Sequence, residues 1–460
     1  MDGDVIVLGA GMAGLSAASV LRRAGLDVLV VDARGRVGGR VHTLHDARTP
    51  VPVELGPELV HEGADAVHRL VRELSFALHE LDGPTWVRSR GALAEMSGFD
   101  DHVKKGLRAA FDRLRAHGDL SMDEALRKAR LSPRVEELTR MFVQGFHAGD
   151  ATKLGARALA KGGPEGRGRA LRVHVGYGAV AEGLAQRAAG CMRLGTTVTR
   201  VAWQRGEVTI DAHGPTGHAV TLRARAAVIA LPLGVVRAPE GEPGAVAFDP
   251  PLDDKRAALA RLDMGHVVKL TLRFREAFWT DAKRVRTASK DAKQTKEKLR
   301  KSAFFFDPHG AFPTFWTSRP LAAPVLVAWA GGPAADALQG QSEAQMVARA
   351  LDGLAVILGV PAKVAHDSLE TWFTHDWGRD PLARGAYSYA LVGGATAARQ
   401  AAAPLSSTLF FAGEHVAPSP NNGTVHGALE SGERAASEVL EALPAVRRRE
   451  LAQRIARGKR

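Results

Sequence analysis

Asp4-Val5-Ile6-Val7-Leu8-Gly9-Ala10-Gly11-Met12-Ala13-Gly14 stands near the start of the chain. It is followed by Leu15-Ser16-Ala17-Ala18-Ser19-Val20-Leu21-Arg22-Arg23 and, beyond Gly25, by Val28-Leu29-Val30-Val31-Asp32. The two short apolar runs predict buried parallel strands, and the helix-forming residues between them predict the crossover helix. Gly9 permits the tight turn out of the first strand, Gly11 lets backbone approach a pyrophosphate, and Gly14 lets helix and strand pack closely. The helix N-terminus offers free N–H groups and partial positive charge to phosphates. Asp32, 23 residues after Gly9, is placed to accept hydrogen bonds from a ribose hydroxyl pair. A lone glycine pattern of this kind is weak; strand, glycines, helix, strand and acid in that order predict dinucleotide binding.

The rest of the composition narrows the class. A chain of 460 residues with 45% hydrophobic and 24% charged side chains has the balance of an ordinary globular protein of two or three domains. No apolar run approaches the roughly 18 residues of a membrane helix. Met1-Asp2-Gly3-Asp4 lacks the basic cluster of a secretory leader, so a cytoplasmic location is expected. The single Cys191 excludes an intrachain disulfide and a multi-thiolate metal site, and no metal is expected. The net charge of +12 is carried by two segments, 281–301 and 446–460, each at +6, leaving the body neutral. Neither segment interleaves aromatics with its charges, so nucleic acid is not expected. Both read as solvated appendages, with an anionic partner as the other reading.

Directly after the acid comes Ala33-Arg34-Gly35-Arg36-Val37-Gly38-Gly39-Arg40, a second anion-binding turn suited to the longer embrace of FAD. From here the chain resembles the flavin-containing amine oxidase family, that of monoamine and polyamine oxidases and lysine-specific histone demethylases, in a bacterial-type soluble form. Arg36–Arg40 matches its R-x-G-G-R turn, and Glu54-Leu55-Gly56-Pro57-Glu58-Leu59-Val60-His61 its E-x-G-x-x-x-x-H segment. Gly176–Leu184 resembles the helix opening that leads to Val198. Ala227–Val235, Phe248–Leu252 and Met264-Gly265-His266-Val267-Val268-Lys269 match V-x-x-x-P-L-G-V, F-x-P-x-L and M-G-x-x-x-K. Trp377–Ser388 resembles W-x-x-D-P-x-x-x-G-x-Y-S. Phe410-Phe411-Ala412-Gly413-Glu414-His415 and Gly423–Gly432 resemble the C-terminal flavin strand and helix, most nearly those of polyamine oxidases and histone demethylases. The shared order spans about 430 residues.

The resemblance implies noncovalent FAD as the cofactor. The expected contacts are Gly9, Gly11, Ala13, Gly14, Asp32, Ala33, Arg34, Gly38, Gly39, Arg40, Gly56, Pro57, Glu58, Val198, Trp377, Gly413, Glu414, Thr424 and Val425. Arg40 would touch the pyrophosphate, the Gly56 backbone would lie along the isoalloxazine, and Val198 would hold the adenine. Ala386 stands where several monoamine oxidases carry a cysteine tethered to the flavin. Thr424 stands where their second cage aromatic would be, which speaks against a monoamine-oxidase-like pocket. Lys269 implies a lysine that holds a water at flavin N5, and Tyr387 and His61 fall on the substrate side. A neutral amine would give hydride from its α-carbon to N5, the imine would hydrolyse, and O2 would return the flavin to its oxidised form, yielding H2O2.

Residue by residue, alternatives stay open. Lys269 in its apolar run could be an edge lysine reaching solvent. Tyr387 could be a core tyrosine. Glu58, His61 and Glu62 could meet the spaced ammonium groups of a polyamine or serve the backbone, while Gln144 stands where some bacterial relatives carry Glu. An L-amino-acid oxidase would need an arginine clamp, with Arg157 and Arg169 as candidates. Oxidation of a non-amine substrate by the same fold, or a flavin-binding protein without turnover, completes the alternatives. The expected fold is α/β: a discontinuous Rossmann-like FAD-binding domain (1–82, 171–256 and 385–445), an α+β substrate-binding domain (83–170 and 257–384), and a basic tail (446–460). Segment 281–301 is expected as an exposed loop or helical hairpin.

Overall fold

Val5–Leu8 is the central strand of a five-stranded parallel sheet in the computed structural model. The strand order is Met192–Arg193, Val28–Val31, Val5–Leu8, Ala226–Ile229, Leu409–Phe411. The structure describes residues 1–89, 91–163, 168–288, 291–418 and 420–443. The sheet's three middle strands are buried throughout. Both faces are covered, which is why these strands read as unbroken apolar runs. Val7 faces the helix Met12–Arg23, where a Cβ on Gly14 would lie 3.2 Å from its Cγ1. Ile6, Leu8, Leu29, Val31 and Ile229 form the opposite face and pack with Val201, Ile210 and Leu222. Those three come from an antiparallel sheet of Ala219–Ala224, Glu207–His213 and Thr197–Gln204, with Ala247–Asp249 at its edge. The helix Val425–Ala442 crosses Met12–Arg23 so closely that a Cβ on Gly432 would sit 2.2 Å from the Ala13 carbonyl oxygen. Ser16 Oγ donates to Leu429 O at 2.9 Å across the same crossing.

These elements form one of two compact units, comprising Met1–Gly39, Ala181–Ala260 and the residues from Ala397 onward. The other, Arg40–Val180 with Arg261–Thr396, is built on a seven-stranded sheet. Its order is Leu369–Phe373, Val267–Phe274, Val325–Gly331, Thr314–Thr317, Phe304–Phe306, Thr85–Ser89, Ala92–Glu95. Alternation sorts its faces. Leu270, Leu272, Phe274, Leu326 and Ala328 pack with the helix Glu343–Leu358. The opposite face, with Val327, Phe304, Phe306 and Trp316, packs with the helices Phe99–His117, Met122–Ala129 and Pro133–His147.

The compact units do not share boundaries with the expected functional division. Residues 40–82, 171–180 and 385–396 belong to the second unit, because their strands pair there. Leu59–His61 and Leu78–Glu80 flank Ala170–Val173, and Tyr387–Ala390 pairs with Leu262–Gly265. Residues 257–260 fall in the first unit.

One expectation is corrected. Among the described residues of 281–301 there is one helix, Ala292–Arg300, not a hairpin, and it is not merely an appendage. Asp291 caps it by accepting from Gln294 N–H at 3.0 Å, and Leu299 is fully buried in the core of the second unit. Its basic side chains still face outward, with Lys298 paired to Glu95 at 2.6 Å. Residues 289–290 and the whole of 446–460 lie outside the described residues. No described helix is long and apolar enough to cross a membrane.

Candidate active site

In the first unit, Gly9, Gly11 and Gly14 have three different reasons to be glycine. Gly9 has φ +106°, in the left-handed region, and a Cβ there would also meet Ala230 O at 2.8 Å. A Cβ on Gly14 would lie 1.9 Å from Gly9 O, so the helix could not approach the strand. Gly11 is different: its φ of −76° and ψ of 178° suit any residue, and a Cβ would meet nothing nearer than Gly38 O at 3.9 Å. No contact within the described residues demands glycine there, whereas a group drawn close to the backbone from outside would. This cradle fits a dinucleotide pyrophosphate at the N-terminus of Met12–Arg23.

Asp32 holds the loop together. Its Oδ2 accepts from Ala10 N–H and its Oδ1 from Arg34 N–H, both at 2.7 Å, which leaves lone pairs on each oxygen for a ribose. Burial pushes its pKa up, opposed by those two N–H donors and the charges of Arg34 and Arg36. Ala13 is buried on the helix's first turn, and Ala33 follows Asp32 into the turn that ends at Gly38 and Gly39, both with positive φ. Gly38 N–H donates to Ala10 O at 2.8 Å, joining the two turns. Val198 is buried in the antiparallel sheet. Gly413 N–H donates to Ser431 Oγ at 2.8 Å, and Glu414 is buried beside it. Thr424 caps the helix beginning at Val425, accepting from Gly427 N–H at 2.9 Å.

The second unit holds Lys269 on Val267–Phe274, an inner strand lying second from one end of the seven-stranded sheet, so it is not an edge lysine. Its neighbours Leu270 and Leu272 face one core, and alternation sends Lys269 to the other face, opposite Trp329. It is 6% exposed. Its ammonium donates to Gly56 O at 3.0 Å and pairs with Glu58 Oε2 at 2.8 Å. Glu58 Oε1 accepts from Arg172 Nε at 2.8 Å and Trp316 Nε1 at 3.0 Å. Arg172 in turn donates to Thr317 O at 2.7 Å and Arg319 O at 2.6 Å. Burial pushes Glu58 upward, but Lys269 and Arg172 outweigh it and hold its pKa down at about 2. Glu54, two residues before Gly56, goes the other way. Burial raises it to about 7 against the hydrogen bonds of Thr43 Oγ1 at 2.7 Å and Tyr177 N–H at 2.6 Å. Gly56 must be glycine because a Cβ would lie 1.9 Å from Arg40 O.

The remaining expected residues gather by shared contacts within this unit. Tyr387 Oη donates to Phe146 O at 2.8 Å, and the His61 ring meets that of Phe146 edge-on at 5.1 Å. Both therefore come to the C-terminal end of Pro133–His147, where Phe142 stacks on Phe146. Trp377 is buried and donates from Nε1 to Leu55 O at 2.8 Å. Arg40 donates from Nη1 to Ala386 O at 2.7 Å. Pro57 lies between Gly56 and Glu58 and is partly exposed. Glu62 is exposed, Arg157 is exposed, and Arg169 is exposed and paired with Glu80 at 2.6 Å. Gln144 Oε1 accepts from Ala151 N–H at 3.4 Å. Among the described residues no group of His, Cys, Asp and Glu could hold a metal.

The family described as flavin containing amine oxidoreductase matches residues 12–440. The chain belongs to that family. A flavin follows from the membership, and the Gly11 cradle accepts it. Among relatives of this flavin amine oxidoreductase, lysine-specific histone demethylase 1 homolog 2 of Arabidopsis thaliana is 29% identical over 95% of this chain. The chain spans only 58% of that relative's length. Polyamine oxidase 4 of Oryza sativa subsp. japonica is 28% identical over 95% of the chain and 88% of its own length. Solved structures share the fold. Putrescine oxidase superimposes with a TM-score of 0.78 at 22% identity, covering 96% of this chain and 99% of the other. Cyclohexylamine oxidase from Brevibacterium oxydans IH-35A gives 0.77 at 21% identity, covering 96% and 100%.

Arg172 and Trp316 escaped the sequence reading. They lie 144 positions apart, Arg172 97 positions before Lys269 and Trp316 47 after it. No local pattern marks them. The usable hint was chemical: a lysine and a glutamate in apolar surroundings each need partners.

Proposed function

We propose that the chain is an FAD-dependent amine oxidase that removes hydride from the α-carbon of a neutral amine, leaving an imine that water hydrolyses. When bound, the flavin would supply a hydride-accepting N5 and a route for the electron pair to O2, with H2O2 as the product. Gly9, Gly11, Ala13 and Gly14 would hold its pyrophosphate with Gly38, Gly39 and Arg40. Asp32, with Ala33 and Arg34, would receive the ribose, and Val198 the adenine. Gly413, Glu414, Thr424 and Val425 would meet the flavin half at a capped helix N-terminus. Gly56, Pro57, Glu58 and Trp377 would line the ring. Ala386 offers no thiol for a covalent bond, so the cofactor is held noncovalently.

Lys269 carries the reading. A buried, paired lysine on an inner strand of a sheet is costly to keep unless its ammonium has work to do. Gly56 O and Glu58 Oε2 engage two of its three N–H donors, leaving one for a water that serves the ring. Tyr387 and His61, with Phe142 and Phe146, supply aromatic faces that would orient an amine and favour its approach. Glu58 is engaged by Lys269 and Arg172, which argues against its use as a receptor for a second ammonium. The relatives name the amines to try: polyamines, putrescine, cyclohexylamine and other primary amines.

The test is anaerobic mixing of the yellow protein with that panel, followed by readmission of O2. At least one amine should bleach the flavin, and O2 should restore the colour with release of H2O2. Lys269→Met should slow the restoration while leaving the bleaching step less affected. If no amine bleaches the flavin, the oxidase reading fails.

A further inference from the structure

We infer that Glu58 is the positioning residue for Lys269, an internal counter-ion that aims the ammonium and is itself aimed by Arg172 and Trp316. The inference rests on the reading of Lys269 as the lysine that serves the flavin.

The argument lies in how the two carboxylate oxygens divide their partners. Oε1 accepts from Arg172 Nε at 2.8 Å and from Trp316 Nε1 at 3.0 Å, with the charged Arg172 Nη2 2.7 Å away. Two hydrogen bonds and an ion pair on one oxygen fix the plane and tilt of the carboxylate. Oε2 meets Lys269 alone, at 2.8 Å. Arg172 is itself immobilised, because its other N–H groups are bound to two carbonyls of the segment that carries Trp316. Glu58 and Arg172 are largely covered, with side chains 10% and 16% exposed, so water competes poorly for these bonds. The lysine stem has four rotatable carbons and no geometric preference of its own. Its direction is therefore set by Gly56 O and Glu58 Oε2, both delivered by one short segment, Gly56-Pro57-Glu58. The segment predicted to lie along the flavin ring is thus also the one that aims the lysine.

A charge count sharpens this. Lys269, Glu58 and Arg172 together carry one surplus positive charge. Glu54 on the same segment and Trp316, whose ring lies 5.9 Å from Lys269 Nζ, are the other groups near the ammonium. On the lysine's own strand Arg273 is turned to Asp46 and Glu370. Removing the Glu58 charge leaves Lys269 and Arg172 near each other in a largely covered setting with no negative charge between them, a costly arrangement.

Glu58→Gln is the discriminating substitution. Its amide keeps the shape, but with the carbonyl held by Arg172 and Trp316 the NH2 group faces Lys269, donor against donor. The ammonium should turn away. In the flavin-loaded protein, and again in the flavin-free protein, labelling of Lys269 by an amine-acylating reagent is followed by peptide mass spectrometry. E58Q should raise its rate about tenfold or more, the factor a charge-assisted hydrogen bond carries. Reoxidation after anaerobic reduction should slow in E58Q about as much as in K269M, and the E58Q/K269M double variant should be no slower than K269M alone. Equal Lys269 labelling in wild type and E58Q overturns the inference, and so does a double variant whose loss is the product of the two single losses. Arg172→Lys keeps the charge but removes the fork, and it should also raise labelling; it serves where E58Q fails to fold. If K269M reoxidises like wild type, the reading of Lys269 as the lysine that serves the flavin is what fails, and the labelling comparison still decides the pairing.

Discussion

Gly11 and Gly14, three residues apart in one loop, should respond to the same substitution in opposite ways. In Gly14→Ala the new methyl would lie 1.9 Å from Gly9 O and 3.1 Å from its carbonyl carbon, so helix and strand must separate by more than a flexible side chain could absorb. Forced overpacking of this kind costs about 3 kcal/mol, which lowers Tm by roughly 6–12 °C for a unit of this size. In Gly11→Ala the methyl meets only Gly38 O at 3.9 Å in an unstrained backbone, so the flavin-free protein should keep its stability within about 0.5 kcal/mol. Its affinity for FAD should nevertheless fall about tenfold or more, since the methyl holds the pyrophosphate away from backbone donors. Calorimetry of the flavin-free variants and titration of FAD by quenching of its fluorescence read the two effects separately. A Gly11→Ala variant that binds FAD like wild type would refute the placement of the pyrophosphate. An unchanged Tm in Gly14→Ala would refute the packing.

Glu54 makes stability depend on pH. Its folded pKa of about 7 lies above the usual carboxyl range, so the folded state binds the extra proton. The stabilisation is present below that range and is lost as pH rises toward 7, by on the order of 3 kcal/mol at most. Glu54→Gln should flatten the Tm-against-pH profile there; an unchanged slope assigns the effect to another group. Acid precipitation of the purified protein should leave all the yellow colour in the supernatant, and any flavin peptide in the pellet would disprove noncovalent binding. Gly432→Ala places a methyl 2.2 Å from Ala13 O and 2.8 Å from Ser16 Cβ. It should lower Tm by several degrees and weaken FAD binding with it, because the displaced helix carries the glycine loop.

Much of the fold was legible because it rests on local patterns. The unbroken run Val5–Leu8 requires cover on both faces, and the structure covers both. Gly9, Gly14 and Asp32 could be read because a βαβ turn closes within about 30 residues, so its steric demands fall at fixed spacings. Thr424 was readable in kind as part of a helix opening, and it caps that helix. The basic run 281–301 was misjudged because composition hides its apolar residues: Val285 and Leu299 are both buried in the core, and Leu299, at the foot of Ala292–Arg300, ties that helix to it.

What the chain determined by itself is the presence of a dinucleotide loop and of a lysine too polar for its apolar strand, since both follow from spacing and from the cost of burial. What only tertiary structure decided is how that cost is met. Glu58 could be read as a ligand for an amine, a backbone anchor or a surface acid, and nothing nearby in sequence chooses among these. Pairing of strands far apart in the chain brings Arg172 and Trp316 onto one of its oxygens and leaves the other to Lys269. Hydrogen bonds between side chains depend on distance and direction in space, and those are set only once the sheet has formed.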